Sequence, residues 1–132
     1  LIQEQQLITD ELGCQPDRLI YGGRSMGGRI CSMAVAAGMP AAGLVLLSYP
    51  LHPPKKPDKL RVEHFADISV PCLFVSGSND PFGCPEEFNQ HLTQINGRVE
   101  AKYLEGGGHD PKTQDHVAAI VQAVNKWVIS VA

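Results

Sequence analysis

A serine stands between two glycines in Gly23-Arg24-Ser25-Met26-Gly27, which is a G-x-S-x-G motif. A short apolar strand is predicted before the motif and an Ala- and Met-rich helix after it. This context favours a nucleophilic serine on a sharp strand-to-helix turn. Such a turn strains the serine backbone, so we expect small residues to be required at both glycine positions. The helix N-terminus would direct the Met26 N–H at negative charge forming beside Ser25. A tight turn without chemistry is the alternative interpretation.

Two residues that follow later strands could complete this chemistry. Asp80 comes just after a predicted strand over 70–76, and His109 lies in a glycine-rich loop before the last predicted helix. In open α/β sheets, sites form where the strands end at their carboxyl edge. The order Ser25, Asp80, His109 therefore predicts that His109 accepts the proton of Ser25 and that Asp80 orients His109. Taken singly, Asp80 fits an Asn-Asp-Pro turn equally well, and a loop histidine is usually just exposed.

Three residues near the same edge are candidates for a substrate pocket, namely Arg24, His52 and Phe82. Arg24 adjoins the serine and either faces an acidic substrate or forms an ion pair. His52 follows the second predicted strand, where a rigid proline-rich loop is an equal alternative. Asp110 is a second candidate for the acid, although neighbouring residues of an extended loop point apart. Capping of the next helix is the alternative role for Asp110.

Helix-like and strand-like segments alternate along the chain. Apolar runs of strand length are typical of parallel sheets, and their alternation with helices predicts right-handed crossovers with helices on both faces. The predicted fold class is therefore α/β, with a mostly parallel sheet flanked by helices. Predicted strands cover 18–21, 42–49, 70–76 and 99–104, and predicted helices cover 1–13, 26–38, 60–66, 85–95 and 113–130.

Length and composition limit the classes of protein and partner. The 132 residues suit one domain, and 43% hydrophobic with 19% charged residues is typical of a globular chain. The net charge of −3 argues against nucleic acid and against an anionic membrane surface as partners. No apolar run reaches the ~20 residues of a membrane span. The four cysteines are not spaced as a zinc site, so we expect a cytoplasmic protein without a metal.

These motifs resemble those of the α/β-hydrolase superfamily. Residues 22–29, 49–54 and 80–83 together are similar to one branch of it, the predicted hydrolases related to dienelactone hydrolase and to testis-expressed protein 30. The resemblance extends over essentially the whole chain. It implies a catalytic triad formed by Ser25, Asp80 and His109, with no metal or organic cofactor.

The same resemblance implies that residues 1–132 form a single hydrolase domain without the N-terminal strands of the family. Those strands would include the loop that supplies a second oxyanion N–H. Their loss would leave an open sheet edge that invites a second copy of the chain or a partner chain. We expect a serine hydrolase acting on a small-molecule ester or related acyl substrate through an acyl-enzyme intermediate. The alternative is a non-catalytic interaction module that keeps the turn at Ser25 for packing.

Overall fold

Strands and helices alternate in the computed structural model, which describes all residues from 1 to 132. In chain order they are α1 (Ile2–Leu12), β1 (Ile20–Arg24), α2 (Met26–Ala36), β2 (Gly43–Leu47), β3 (Cys72–Gly77), α3 (Pro85–His91), β4 (Val99–Leu104) and α4 (Gln114–Val131). Single 3₁₀ turns lie between them at Pro16–Arg18, Phe65–Asp67 and Leu92–Gln94. Local sequence sets several boundaries. Gly13 ends α1 in the left-handed conformation, and Pro85 begins α3, where its missing N–H has no helical partner to lose.

The four strands form one sheet in the order β1-β2-β3-β4, and every neighbouring pair is parallel. The first strand begins at Ile20 rather than at 18 as predicted, and it continues to Arg24 because it pairs with the whole of β2. Since all strands run in the same direction, their carboxyl ends meet at one edge of the sheet. The segments that follow the strands are gathered at that edge. The predicted α/β class with a parallel sheet is confirmed.

Alternating side chains of the central strands fill two separate cores. Leu44 and Leu46 of β2 point to the face that α2 and α3 cover, where Phe88 is also buried. Val45, which lies between them, points to the opposite face, where α4 contributes the buried Trp127. Helices therefore cover both faces of the sheet, as predicted.

The helix predicted over 60–66 is wrong. Only Phe65–Asp67 forms a single 3₁₀ turn in this part of the chain. The N–H of Arg61 donates to the carbonyl of Leu51 at 2.7 Å. Within the segment only short-range bonds form, such as the one from the Phe65 N–H to the Val62 carbonyl at 2.9 Å, and the tertiary bond to Leu51 overrides the local helix propensity.

Helix α1 forms where it was predicted, but its polar residues face inward. Gln5 and Thr9 are the buried residues, and the Gln5 side-chain amide donates to the carbonyl of Pro40 at 2.7 Å. Its apolar residues are exposed, namely Leu1, Ile2, Leu7, Ile8 and Leu12. The helix-like spacing of those residues therefore does not mark the face that packs on the sheet.

Helix α4 is the longest helix and buries one large side chain, that of Trp127. Two of its apolar residues, Val117 and Val121, are about half exposed. Thr113 caps the helix by accepting the N–H of His116 at 3.1 Å. No helix of the chain, α4 included, is both long enough and apolar enough to cross a bilayer.

Candidate active site

Ser25 occupies the turn between β1 and α2 in a strained backbone conformation. Its φ of 53° and ψ of −123° lie outside the regions that non-glycine residues ordinarily adopt. Such a conformation costs about 1–3 kcal/mol and persists only where the surroundings enforce it. The Ser25 N–H donates to the Leu47 carbonyl at 2.8 Å, and the Arg29 N–H donates to the Ser25 carbonyl at 3.1 Å. These two bonds fix the serine at the C-terminal end of β1 and the N-terminus of α2.

The glycines around the serine have unequal roles. A Cβ on Gly23 would lie 2.5 Å from the Gly28 nitrogen, and a Cβ on Gly28 would lie 2.8 Å from the Gly23 carbonyl oxygen. Around Gly27, apart from its chain neighbours and the backbone of its own helix, no atom lies within 4 Å of the position a Cβ would take. The expectation that small residues are required at positions 23 and 27 is therefore wrong for Gly27. The close approach of strand and helix occurs between Gly23 and Gly28.

Ser25, His109 and Asp80 form one hydrogen-bonded chain. Ser25 Oγ lies 2.8 Å from His109 Nε2, and His109 Nδ1 lies 2.9 Å from Asp80 Oδ2 and 3.1 Å from Oδ1. A proton on Nδ1 satisfies the carboxylate and leaves Nε2 free to accept the Ser25 hydroxyl proton. The Asp80 side chain is fully buried, whereas 21% of the His109 side chain is exposed. The arrangement therefore combines a buried acid with a base that solvent reaches.

The loops that carry Asp80 and His109 are bonded to each other. The Asn79 N–H donates to the Gly107 carbonyl at 2.8 Å, and the Gly106 N–H donates to Ser78 Oγ at 2.8 Å. A Cβ on Gly77 would overlap the Gly107 carbonyl, so this position accepts only glycine. The acid and the base, 29 residues apart in sequence, are thus held at a fixed separation.

A negative charge beside Ser25 would meet the N-terminus of α2. The first N–H groups of a helix have no acceptor within the helix, and Met26 is the first residue of α2. Its N–H is therefore available to an oxygen bound next to Ser25. Its side chain is largely exposed.

Residues 1–129 match a family model described as an alpha/beta hydrolase domain. The chain belongs to this α/β hydrolase family. The narrower resemblance to the testis-expressed protein 30 branch stays a prediction.

Three solved structures share the fold at low sequence identity. The dienelactone hydrolase from Anabaena variabilis has a TM-score of 0.78 and 17% identity, covering 98% of this chain and 56% of that one. An alpha-beta serine hydrolase homologue from Coxiella burnetii has a TM-score of 0.69 and 18% identity, covering 94% and 55%. Porphyromonas gingivalis dipeptidyl peptidase 4 has a TM-score of 0.77 and 15% identity, covering 98% and 22%. This hydrolase domain thus spans little more than half of the two shorter structures.

Two of the predicted pocket residues of this hydrolase domain lie next to His109 or its loop. The Phe82 ring stacks on the His109 ring with centroids 4.1 Å apart. Arg24 forms an exposed ion pair with Asp110, the residue after His109. Hydrogen bonds from Lys112 and then from Arg24 hold the pKa of Asp110 below its ordinary value. Asp110 therefore faces these cations, and Asp80 rather than Asp110 contacts the histidine.

His52, the third predicted pocket residue, is in different surroundings. Only 5% of its side chain is exposed, and both ring nitrogens already have partners. Nδ1 lies 2.8 Å from the Pro53 carbonyl, and Nε2 lies 2.7 Å from Glu87 Oε2. No nitrogen of this ring is free to bind a substrate, which differs from the predicted position in the pocket.

A second serine–histidine contact was not predicted. Ser32 Oγ lies 2.8 Å from His64 Nε2, and the Tyr49 hydroxyl lies 3.5 Å from the same nitrogen. Ser32 is fully buried on the face of α2 that packs on the sheet. The 3.6-residue period of α2 places Ser32 on the same face as Val35, which is the one sequence signal for its burial. Nothing in the sequence indicates its partner, because the segment carrying His64 has no regular periodicity.

None of the four main surface depressions of the domain includes a triad residue. Their volumes are about 330 to 540 Å³, and they lie along α4, between α1 and α2, and beside α3. Ser25 therefore does not stand at the bottom of one of these cavities.

Proposed function

We propose that this domain is a serine hydrolase that cleaves an ester or a related acyl substrate. The observation that carries the proposal is the continuous chain of hydrogen bonds from Ser25 Oγ through the His109 ring to the Asp80 carboxylate. The strained backbone of Ser25 adds support, because such strain is concentrated at functional sites. Membership of the α/β hydrolase family agrees with this reaction class.

The proposed reaction has two stages. Ser25 Oγ attacks the carbonyl carbon while its proton passes to His109 Nε2, and the Met26 N–H donates to the oxyanion that forms. The intermediate collapses to an acyl-enzyme as His109 returns the proton to the departing alcohol. Water then attacks the acyl group with the same proton transfers, which releases the acid and restores Ser25. Asp80 stays ionised throughout and keeps the proton of His109 on Nδ1.

We propose small, accessible acyl substrates for this site. Ser25 lines none of the four main depressions, so none of these cavities receives the acyl chain. The Arg24 guanidinium is half exposed beside the serine, but Asp110 already neutralises part of its charge. Recognition of a strongly anionic substrate by Arg24 alone is therefore disfavoured.

Hydrolysis of a short activated ester such as p-nitrophenyl acetate tests the reaction class. We expect Ser25→Ala to lower turnover to the uncatalysed background while the circular dichroism spectrum is unchanged. Ser32→Ala is the matched control, because it removes the hydroxyl of the other serine–histidine contact. The control should keep turnover within a few-fold of wild type. Unchanged turnover in Ser25→Ala would remove the basis of the proposal.

The second candidate, a non-catalytic interaction module, is favoured by the uncovered surface beside β1. This strand pairs with β2 along one side only, and the apolar residues of α1 are exposed. An unpaired strand edge can add a strand from another chain, and self-association through it is our proposal for a partner. Sedimentation velocity at two concentrations should then show a concentration-dependent increase in mass. A strictly monomeric species at both concentrations contradicts self-association.

A further inference from the structure

The pair formed by His52 and Glu87 has no role in the proposed reaction, yet it is the most completely bonded histidine contact outside the triad. One ring nitrogen faces the Pro53 carbonyl and the other faces the Glu87 carboxylate. Both partners are acceptors, so only a doubly protonated ring donates to both of them. The two contacts hold the ring, which is almost fully buried, between the Pro53 carbonyl and the Glu87 carboxylate.

Glu87 is bonded on both of its carboxylate oxygens. Oε2 accepts from His52, and Oε1 accepts the Cys84 N–H at 3.0 Å as part of the capping box of α3. Burial alone would raise the pKa of Glu87. The hydrogen bonds from Cys84 and the charge of His52 outweigh burial and hold that pKa below its ordinary value. Glu87 thus joins the start of α3 to the loop after β2.

The backbone of His52 extends the same connection towards the triad. Its N–H donates to the Phe82 carbonyl at 3.2 Å. Phe82 in turn contacts both partners of the acid–base pair. Its N–H donates to Asp80 Oδ1 at 2.8 Å, and its ring stacks on His109. Phe82 therefore connects the buried pair of His52 and Glu87 to Asp80 and His109.

We propose that His52 and Glu87 are positioning residues, which fix the segment from Asp80 to Glu87 so that Asp80 and Phe82 hold the His109 ring against Ser25. The inference rests on the proposed serine-hydrolase function. Neither residue touches the reacting atoms, and their effect reaches His109 only through Phe82 and Asp80. A misplacement of about 1 Å in such a site can lower the rate about 100-fold.

Glu87→Ala and Glu87→Gln separate positioning from the presence of a charge. The alanine variant removes both carboxylate bonds, so we expect the limiting rate of Ser25 labelling by a fluorophosphonate to fall about 100-fold. The concentration of probe that gives half of that rate should stay unchanged. In Glu87→Gln the introduced amide can still accept from Cys84 and can donate to a neutral His52, whose Nδ1–H keeps its bond to Pro53. We expect that variant to label within a few-fold of wild type.

The control for a merely structural role is Ile95→Ala. Ile95 is buried beyond the end of α3, in the turn that leads back to the start of β4, and takes no part in the contacts that connect Glu87 to His109. This variant should lose thermal stability while keeping the wild-type labelling rate. If Glu87→Ala does not fold, Glu87→Asp replaces it as the test variant. Its side chain is one methylene shorter, so we expect a smaller decrease in the limiting rate of Ser25 labelling.

Proton NMR supplies a readout that does not depend on turnover. The proton shared by His109 Nδ1 and Asp80 should give a downfield resonance in wild type and in Glu87→Gln, and it should weaken or disappear in Glu87→Ala. A folded Glu87→Ala that keeps both the wild-type labelling rate and this resonance overturns the positioning inference. If the wild type is not labelled at all, the proposed function fails, and the resonance alone decides whether Glu87 positions His109.

Discussion

Two serine–histidine contacts of equal length lie close together on this domain, and only one of them has the features of a nucleophile. Ser25 Oγ and His109 Nε2 are 2.8 Å apart, and so are Ser32 Oγ and His64 Nε2. The first pair has a buried carboxylate on the far nitrogen of the histidine. The second pair has no such acid among its hydrogen bonds.

The direction of the hydrogen bond also differs between the two pairs. Ser32 Oγ donates to the Arg29 carbonyl at 2.7 Å, so its contact with His64 is one in which the ring nitrogen donates. Ser25 has no competing acceptor for its proton and can give it to His109. A short serine–histidine distance therefore does not identify a nucleophile. The buried acid and the direction of donation are what favour Ser25 over Ser32 as the proposed nucleophile.

The largest effect that separates the two pairs is expected from Asp80→Asn. Loss of the carboxylate leaves His109 without the partner that keeps its proton on Nδ1, and comparable changes lower turnover about 10⁴-fold. His64→Gln is the parallel change in the other pair and should leave turnover within a few-fold of wild type. Turnover of an activated ester by both variants measures the difference. A loss of less than tenfold in Asp80→Asn would show that the acid does not distinguish the pairs.

Only the pair of Ser25 and His109 includes a strained turn. Glycine variants at this turn should therefore differ from each other in their free energy of unfolding. Gly23→Ala places a methyl group against the Gly28 backbone and should destabilise the domain by about 3 kcal/mol. Gly27→Ala meets open space and should stabilise α2 by up to about 1 kcal/mol. Urea denaturation measures both changes. Equal destabilisation by the two substitutions would contradict the unequal roles of these glycines.

Ser32→Ala should have a smaller effect, and on stability rather than on turnover. The variant removes the bonds of Ser32 Oγ to the Arg29 carbonyl and to His64. Loss of buried bonds of this kind costs about 1–2 kcal/mol. Chemical denaturation should show this decrease at unchanged ester turnover. A decrease in turnover without loss of stability would assign Ser32 a part in the chemistry.

The smallest effect is expected in the pH dependence of stability. Burial lowers the pKa of His64 below its ordinary value of 6.5. Below pH 6.5 the unfolded chain binds a proton at His64 that the native protein does not, so stability falls from 6.5 down to the native pKa. Above that window the contribution of His64 is fully present.

His64→Gln removes this titrating group and isolates its contribution. We expect the free energy of unfolding to decrease less in the variant than in wild type when the pH is lowered from about 7.5 to about 5.5. The carboxylates with lowered pKa values, such as Glu4 and Asp110, titrate below this range. An identical decrease in the two proteins would show that His64 is not protected from protonation in the native state.

The sequence predicts those features of the fold that depend on periodicity and strand order. Continuous apolar runs mark the strands, and the parallel sheet then places the residues after each strand at one edge. That reasoning predicts that Ser25, Asp80 and His109 lie close together, and in the structure they are within hydrogen-bond distance. Their catalytic roles remain predictions that the variants test.

Two of the contacts that sequence reasoning missed involve the irregular segment between β2 and β3. His52 and His64 lie in this segment, and their partners Glu87 and Ser32 lie 35 and 32 residues away in sequence. No local pattern encodes such contacts, because they depend on how the segment folds over the helices. The wrongly predicted helix over 60–66 has the same origin.

Mapping the site of fluorophosphonate labelling tests the central claim most directly, because trypsin separates the two serines. Cleavage after Arg24 and Arg29 leaves Ser25 in the peptide 25–29 and Ser32 in the next peptide. We expect one adduct on the folded protein, located in peptide 25–29 and absent in Ser25→Ala. An adduct on the peptide that contains Ser32, or no adduct on the folded chain, would contradict the assignment of Ser25 as the nucleophile.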